Sequence, residues 1–349
     1  MKDLKFIQAC PDDNYYTWQV HMWLESLRKI GQSDKAISLI FTPADRKVLN
    51  PRWQQIVDLY PEAEFNFYTD TDNIHPLLGI YVSVLRPYVL WKYFKVHPEM
   101  SSNAIFYCDN DILFTEKFDV QKFVDDDVCY LSDTASYIGS KYFDSKIHDV
   151  LPEKLEEYKT RDILGEIASV VGISREICEV NEINSGGAQY LLKNIDSSFW
   201  SKVMNDSIMI RTYLQKVNRQ FFENENKGFQ SWCADMWAVL WNLWLREQDV
   251  LVVPELAFAW APDPIEKLET HTIYHNAGIA GPQMEYKTDP DGTKHFYTAF
   301  YKAKYFQTGD PFKEQHIHDV LNDQESKKHC TWYYANALME LHDKYKLNY

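Results

Sequence analysis

Two aspartates, Asp109 and Asp111, close the apolar and aromatic run Ala104-Ile-Phe-Tyr-Cys108. The run reads as a buried strand, and in an extended backbone residues i and i+2 point the same way. Both carboxylates can then converge on one hard cation, with Asn110 turned aside. Two anions at the mouth of an apolar strand repel each other unless a metal or a dense set of donors neutralises them. The plainer alternative is a strand end carrying two solvated acids. Arg86, on the helix ahead of this strand, carries a guanidinium, a group suited to bidentate phosphate binding but equally at home as a generic surface arginine. Asp235 lies among Trp232, Trp237, Trp241 and Trp244. A carboxylate amid so much aromatic surface must be solvated on one side or partnered.

The elements that must position these side chains alternate between short apolar strands and helical patterns, as in an α/β sheet. Leu4–Ala9 reads as a strand, and helical spacing from Tyr16 to Ile30 ends at Gly31. Ala36–Thr42 and Glu64–Tyr68 are further strands, with a helix from Pro51 to Tyr60 and a long one from Gly79 to Phe94. Strands at Ala104–Cys108 and Val128–Ser132 follow. Helical crossovers before residue 115 imply right-handed parallel connections. From Lys141 to Glu182 the pattern is amphipathic and helical, an insertion on one face. Asn184-Ser-Gly-Gly187 offers tight backbone with exposed amides, or else an ordinary strand-entry turn. Gln189, one alternation further, can face the same side. Helices are expected over Ser197–Asn218, Gln230–Glu247 and Thr331–Tyr345, with a strand at Val250–Pro254.

The composition is globular: 349 residues, 45% hydrophobic and 15% aromatic, with no low-complexity tract. A net charge of −15 opposes nonspecific binding to nucleic acid or anionic membrane. A local basic groove lined by Lys193, Lys202, Arg211, Lys216 and Arg219 stays open. Six cysteines without a CxxC pair argue against a zinc ribbon and for reduced, buried thiols. No apolar run is long enough to cross a bilayer and no leader is apparent, so the expected compartment is the cytoplasm.

The order of these parts resembles the GT-A-fold glycosyltransferases that use a metal and a nucleotide sugar. The likeness rests on the loop Cys10-Pro-Asp-Asp-Asn-Tyr-Tyr16, the helix with Arg86 and Lys92, and Asp109-Asn-Asp111. It continues through Asn184-Ser-Gly-Gly187, Ser231-Trp-Cys-Ala-Asp235 and His275-Asn-Ala-Gly278. It is closest in pattern to the retaining group with DxD, NxG and HxxG segments. The N-terminal part also resembles the hydroxyproline arabinosyltransferase and peptidyl-serine galactosyltransferase group. The likeness covers roughly residues 4–280.

The resemblance implies a GT-A-type catalytic domain over 1–280, including the insertion at 141–182, with 281–349 an extension packed on the same domain. It implies Mn2+ or Mg2+ held by Asp109, Asp111 and His275, and a UDP-sugar donor whose departing diphosphate the cation stabilises. From their position at the end of the first strand, rather than from any motif, Asp12, Asp13 and Tyr15 are expected to hold the uridine by ribose hydrogen bonds and stacking. Arg86, Asn110, Gly186, Gly187 and Gly278 would line the nucleotide sugar. Asp235, Gln189 and Asn184 would act on the donor sugar or the transition state. The acceptor is a hydroxyl, on a hydroxymethylated base of phage DNA or on a protein, glycan or lipid. Ala234 departs from relatives with a polar residue there, which puts the role of Asp235 in doubt, and the insertion has no counterpart. Two rivals remain. A haloacid-dehalogenase-like phosphohydrolase also carries Asp-x-Asp after a strand, but nearer its N-terminus and with Thr or Val where Leu113 stands. A non-catalytic nucleotide or carbohydrate binder is the other.

Overall fold

The computed structural model describes residues 2–42, 44, 48–72, 81–224, 227–278, 280–306, 309–312 and 315–346. Its strands are β1 (Leu4–Pro11), β2 (Ala36–Thr42), β3 (Glu64–Thr69), β4 (Ala104–Cys108), β5 (Ile112–Phe114) and β6 (Cys129–Asp133). They continue with β7 (Gly186–Leu192), β8 (Val250–Val252), β9 (Phe258–Trp260), β10 (Ile273–His275), β11 (Gln283–Thr288) and β12 (Lys294–Thr298). Seven of them form a mixed, mostly parallel sheet, three form a smaller sheet and two form a hairpin. With helices flanking the large sheet and a helical insertion after β6, this is the α/β class that the strand–helix alternation predicts. The start of the helix expected from Gly79 lies outside the described residues; its remainder is the helix Leu85–Val96.

The chain divides into two compact units. The first comprises residues 1–9, 68–108 and 121–254, and the second residues 10–67, 109–120 and 255–349.

In the first unit the strands run β1-β4-β7-β6-β8. β1 and β4 pair in parallel, Leu4 opposite Ala104 and Ile7 opposite Tyr107. β7 is antiparallel to both β4 and β6, and β6 is parallel to β8. Every residue of β4 and β7 is buried, as expected of central strands covered on both faces. The helix Ser197–Phe221 starts where Asp196 accepts from Phe199 N at 2.9 Å, which satisfies one of the amides a helix start leaves free. It packs against Leu85–Val96 and Ala234–Leu245, and Trp200, Trp237 and Trp241 are fully buried. The insertion folds into short helices, of which Ile163–Val171 is capped by Asp162 and ends at Gly172 in the left-handed region, φ +103°.

In the second unit the helix Asn14–Lys29 begins at Asp13, whose side chain accepts from Tyr15 N at 2.8 Å. Arg28 and Lys29 sit at its C-terminal end, complementing the helix dipole, and Gly31 follows at φ +69°. The small sheet runs β5-β10-β9. Its residues Leu113, Ala259 and Tyr274 join Trp18, Phe300, Tyr305 and Tyr334 in one aromatic core. The segment beyond residue 280 is thus part of the same core as the first helix.

No helix among the described residues is long and apolar enough to cross a membrane. All six cysteines are buried, and none of them is joined in a disulfide.

Candidate metal centre and a buried ion pair

The second unit brings Asp109, Asp111 and His275 together. One ligand atom from each lies within 4.8 Å of the other two. His275 Nε2 is 3.4 Å from Asp109 Oδ2 and 3.5 Å from Asp111 Oδ1. The convergence does not arise from strand alternation, as the sequence suggested. β4 stops at Cys108, and residues 109–111 make a turn into β5. β5 then pairs antiparallel with β10, placing Ile112 opposite His275. Asn276 N donates to Asp111 O at 3.0 Å and extends that register by one rung. The imidazole is backed by Trp260, its ring stacked at 6.1 Å, and by Phe258.

Burial on its own would raise the Asp111 carboxyl. The charges of Lys302 and His275, with their hydrogen bonds, overcome it and hold the group well below the usual carboxylate range. Asp111 is therefore a buried anion, and Lys302 Nζ donates directly to its Oδ2. Burial first, with the Asp111 charge adding to it, pushes up the phenols of Tyr15, Tyr274 and Tyr334, so all three stay neutral.

Two hard oxygens and one imidazole nitrogen fit a first-row divalent cation such as Mn2+. Beside the ligands in sequence, Asn110 buries an amide nitrogen that has no hydrogen-bond partner among the described residues. Leaving such a donor unmet costs about 1–3 kcal/mol.

Other residues singled out from the sequence are placed as follows. Asp12 is buried, its amide donating to Phe41 O at 2.8 Å, and Asp13 caps the first helix. Tyr15 is buried with edge-on contacts to Tyr16, Trp18 and Phe306. Gly278 adopts φ +73°, and a Cβ there would lie 3.2 Å from Lys302 Cε. Lys302 itself was not singled out. It lies past the last motif, in Phe300-Tyr-Lys-Ala-Lys-Tyr-Phe306, where nothing distinguishes it from Lys304.

In the first unit Asp235 is partnered, not solvated. Its Oδ2 accepts from Arg86 and its Oδ1 from Tyr81 OH at 2.8 Å. Asp235 N in turn donates to Tyr81 OH at 2.9 Å. Desolvation would lower the Arg86 guanidinium, but Asp235 more than compensates and keeps it firmly charged. The Arg211 guanidinium lies over the Tyr81 ring at 4.9 Å.

Gly186 and Gly187 differ from the exposed turn that the sequence allowed. Both are buried strand residues of β7, opposite Asp133 and Ser132. The strands approach so closely that a Cβ on Gly186 would sit 2.6 Å from Ser132 O. Asn184 Oδ1 accepts from Val252 N at 3.2 Å. A bulge at Leu131/Ser132 and a left-handed Ala188, φ +66°, interrupt the expected alternation. Gln189 is fully buried, and its Oε1 accepts from Ser132 Oγ at 2.9 Å. Two of the lysines expected in a basic groove are engaged within the protein. The Lys193 side chain is 0% exposed, its ammonium donating to Phe123 O, Asp126 and Val128 O, and Lys202 pairs with Asp206 at 2.9 Å.

No family model and no curated protein sequence matches the chain. Among solved structures it is similar to the apo WbbM bifunctional glycosyltransferase, at 10% identity and TM-score 0.44, over 98% of this chain and 52% of that one. It is also similar to mouse xyloside xylosyltransferase 1, at 10% identity and TM-score 0.38, over 80% and 100%. The galactosyltransferase LgtC, in complex with donor and acceptor sugar analogues, matches at 9% identity and TM-score 0.41, over 87% and 95%. The chain spans about half the length of the WbbM structure. At this level of likeness, the chemistry has to be read from the site itself.

Proposed function

We propose that this chain is a GT-A-type, metal-dependent glycosyltransferase that moves a sugar from a nucleotide diphosphate sugar, most simply a UDP-sugar, to a hydroxyl acceptor. The observation that carries this reading is the buried convergence of Asp109, Asp111 and His275, with Asp111 kept ionised. A divalent cation bound there supplies Lewis-acid stabilisation of the charge that grows on a departing diphosphate. The chain's own part is to present two hard oxygens and one nitrogen from a rigid turn and a paired strand. In this reading Asp12, Asp13 and Tyr15 hold the nucleoside.

Arg86 and Tyr81 hold the Asp235 carboxylate in one orientation. The resemblance gives Asp235 and the segment Asn184–Gly187 to the donor sugar. For the acceptor, a net charge of −15 and the engaged ammonium of Lys193 weigh against DNA.

The test is a donor screen. The protein is incubated with Mn2+ and a panel of UDP- and GDP-sugars, and nucleotide release is followed. Slow, metal-dependent hydrolysis of one donor supports the reading. No release from any nucleotide sugar, together with phosphate release from a simple ester, would hand the site to phosphohydrolase chemistry.

A further inference from the structure

Lys302 is the feature of the metal centre that a set of ligands alone does not explain. Its side chain is 17% exposed, and its ammonium sits on Asp111 Oδ2, while Oδ1 of the same carboxylate faces His275. A partly buried ammonium needs an anionic partner, and a buried carboxylate needs a counter-charge. Each meets the other's requirement here. Gly278 makes room for the arrangement, because a side chain at that position would crowd the lysine stem. The glycine of the His275–Gly278 turn thereby admits a residue from beyond the recognised motifs.

A divalent ion on Asp111 brings two positive charges next to this ammonium. Like charges at such separations in a partly dry site repel strongly. The ion and the lysine therefore cannot both take full advantage of one carboxylate. If the lysine is driven off, it must find another anion. A diphosphate, arriving with the ion, provides one.

We propose that Lys302 is the resident counter-cation of the Asp109–Asp111–His275 centre, so that a divalent ion binds weakly alone and firmly only together with a nucleoside diphosphate. This deepens the reading of the site as a metal–diphosphate centre and rests on it. Lys302 is a positioning residue in this scheme. It holds the Asp111 carboxylate in place before the substrate arrives, and it couples the two ligands.

The experiment measures Mn2+ binding to the full chain by electron paramagnetic resonance of free Mn2+, with and without UDP. It compares wild type, Lys302→Met, Lys302→Gln and Lys302→Arg, each checked for folding by circular dichroism. In the wild type, UDP should tighten Mn2+ binding by at least about fivefold, the lower end of ordinary coupling between sites. In Lys302→Met and Lys302→Gln, Mn2+ alone should bind at least about fivefold tighter than in wild type, with the UDP effect reduced. Lys302→Arg keeps the charge and should retain the wild-type pattern. Mn2+ affinity that is unchanged or weaker in both neutral variants, with UDP coupling intact, overturns the role of Lys302 and leaves the metal centre standing. Absence of Mn2+ binding by wild type and both neutral variants, with or without UDP, removes the metal reading and this inference with it.

Discussion

Arg86 and Asp235, 149 residues apart in the chain, form a single buried ion pair, with Tyr81 donating to the other carboxylate oxygen. Removing one member strands the other charge. Breaking such a pair typically costs about 3–5 kcal/mol, less where one partner keeps some exposure, as Arg86 does at 21%. Asp235→Leu and Arg86→Leu should therefore each lower stability by about 2–4 kcal/mol. The double variant should be closer to wild type than the sum. Urea unfolding of the four proteins gives the coupling energy. Simple additivity would show that the two side chains do not depend on each other.

The first helix predicts a pH response. His21 is buried, and its imidazole is pushed down to about 3 by burial first, with Arg28 and Lys344 adding and the charge of Glu25 opposing. Between that value and the ordinary 6.5, the unfolded chain binds a proton that the folded one does not. Stability is therefore complete above the unfolded value and falls as pH drops from 6.5 toward 3. Glu25 acts in the same direction. Its carboxyl is held low against burial by Lys344, Tyr60 and Tyr345, so its contribution also fades as acid protonates it. Between pH 6.5 and about 5, His21 alone should cost up to about 2 kcal/mol. His21→Phe should flatten that slope, read from urea midpoints across the range. An equal slope in the variant would locate the acid sensitivity elsewhere.

Gly186 is constrained by contact rather than by backbone angle. Gly186→Ala places a methyl group 2.6 Å from Ser132 O and 2.7 Å from Leu131 Cβ, so β6 and β7 must separate. Overpacking of this kind costs about 1–3 kcal/mol. Gly281→Ala, with its nearest neighbour at 3.7 Å, serves as the control and should be near neutral. Thermal melts of both decide the matter. Equal melting temperatures would mean that the strands yield easily.

Much of the fold could be read from the chain because local signals agreed. β2 and β4 begin and end where the apolar runs Ala36–Thr42 and Ala104–Cys108 do, and Gly31 follows the first helix as a left-handed stop. The approach of Asp109 and Asp111 is legible in residue type and spacing, whereas His275, 164 positions beyond Asp111, enters only through the family resemblance. The means of convergence is not legible. A turn into the three-residue strand β5 leaves no periodicity to detect. The Arg86–Asp235 pair and the Lys302–Asp111 contact depend on long-range packing, which no local pattern encodes. Gly186-Gly187 misled because glycine marks both exposed turns and tight strand approaches. The bulge at Leu131/Ser132 and the left-handed Ala188 together take Gln189 out of the simple alternation.

The central claim is that the paired aspartates carry a cation which in turn carries a diphosphate. It is tested most directly by calorimetric titration of UDP into the wild type, Asp109→Asn and Asp111→Asn, each with Mn2+ and again with excess EDTA. The wild type should bind UDP in Mn2+ and lose at least about tenfold in affinity in EDTA, roughly 1.4 kcal/mol. Both variants should show that weak binding under either condition. UDP binding of equal strength in EDTA, or in Asp111→Asn with Mn2+, would contradict the account.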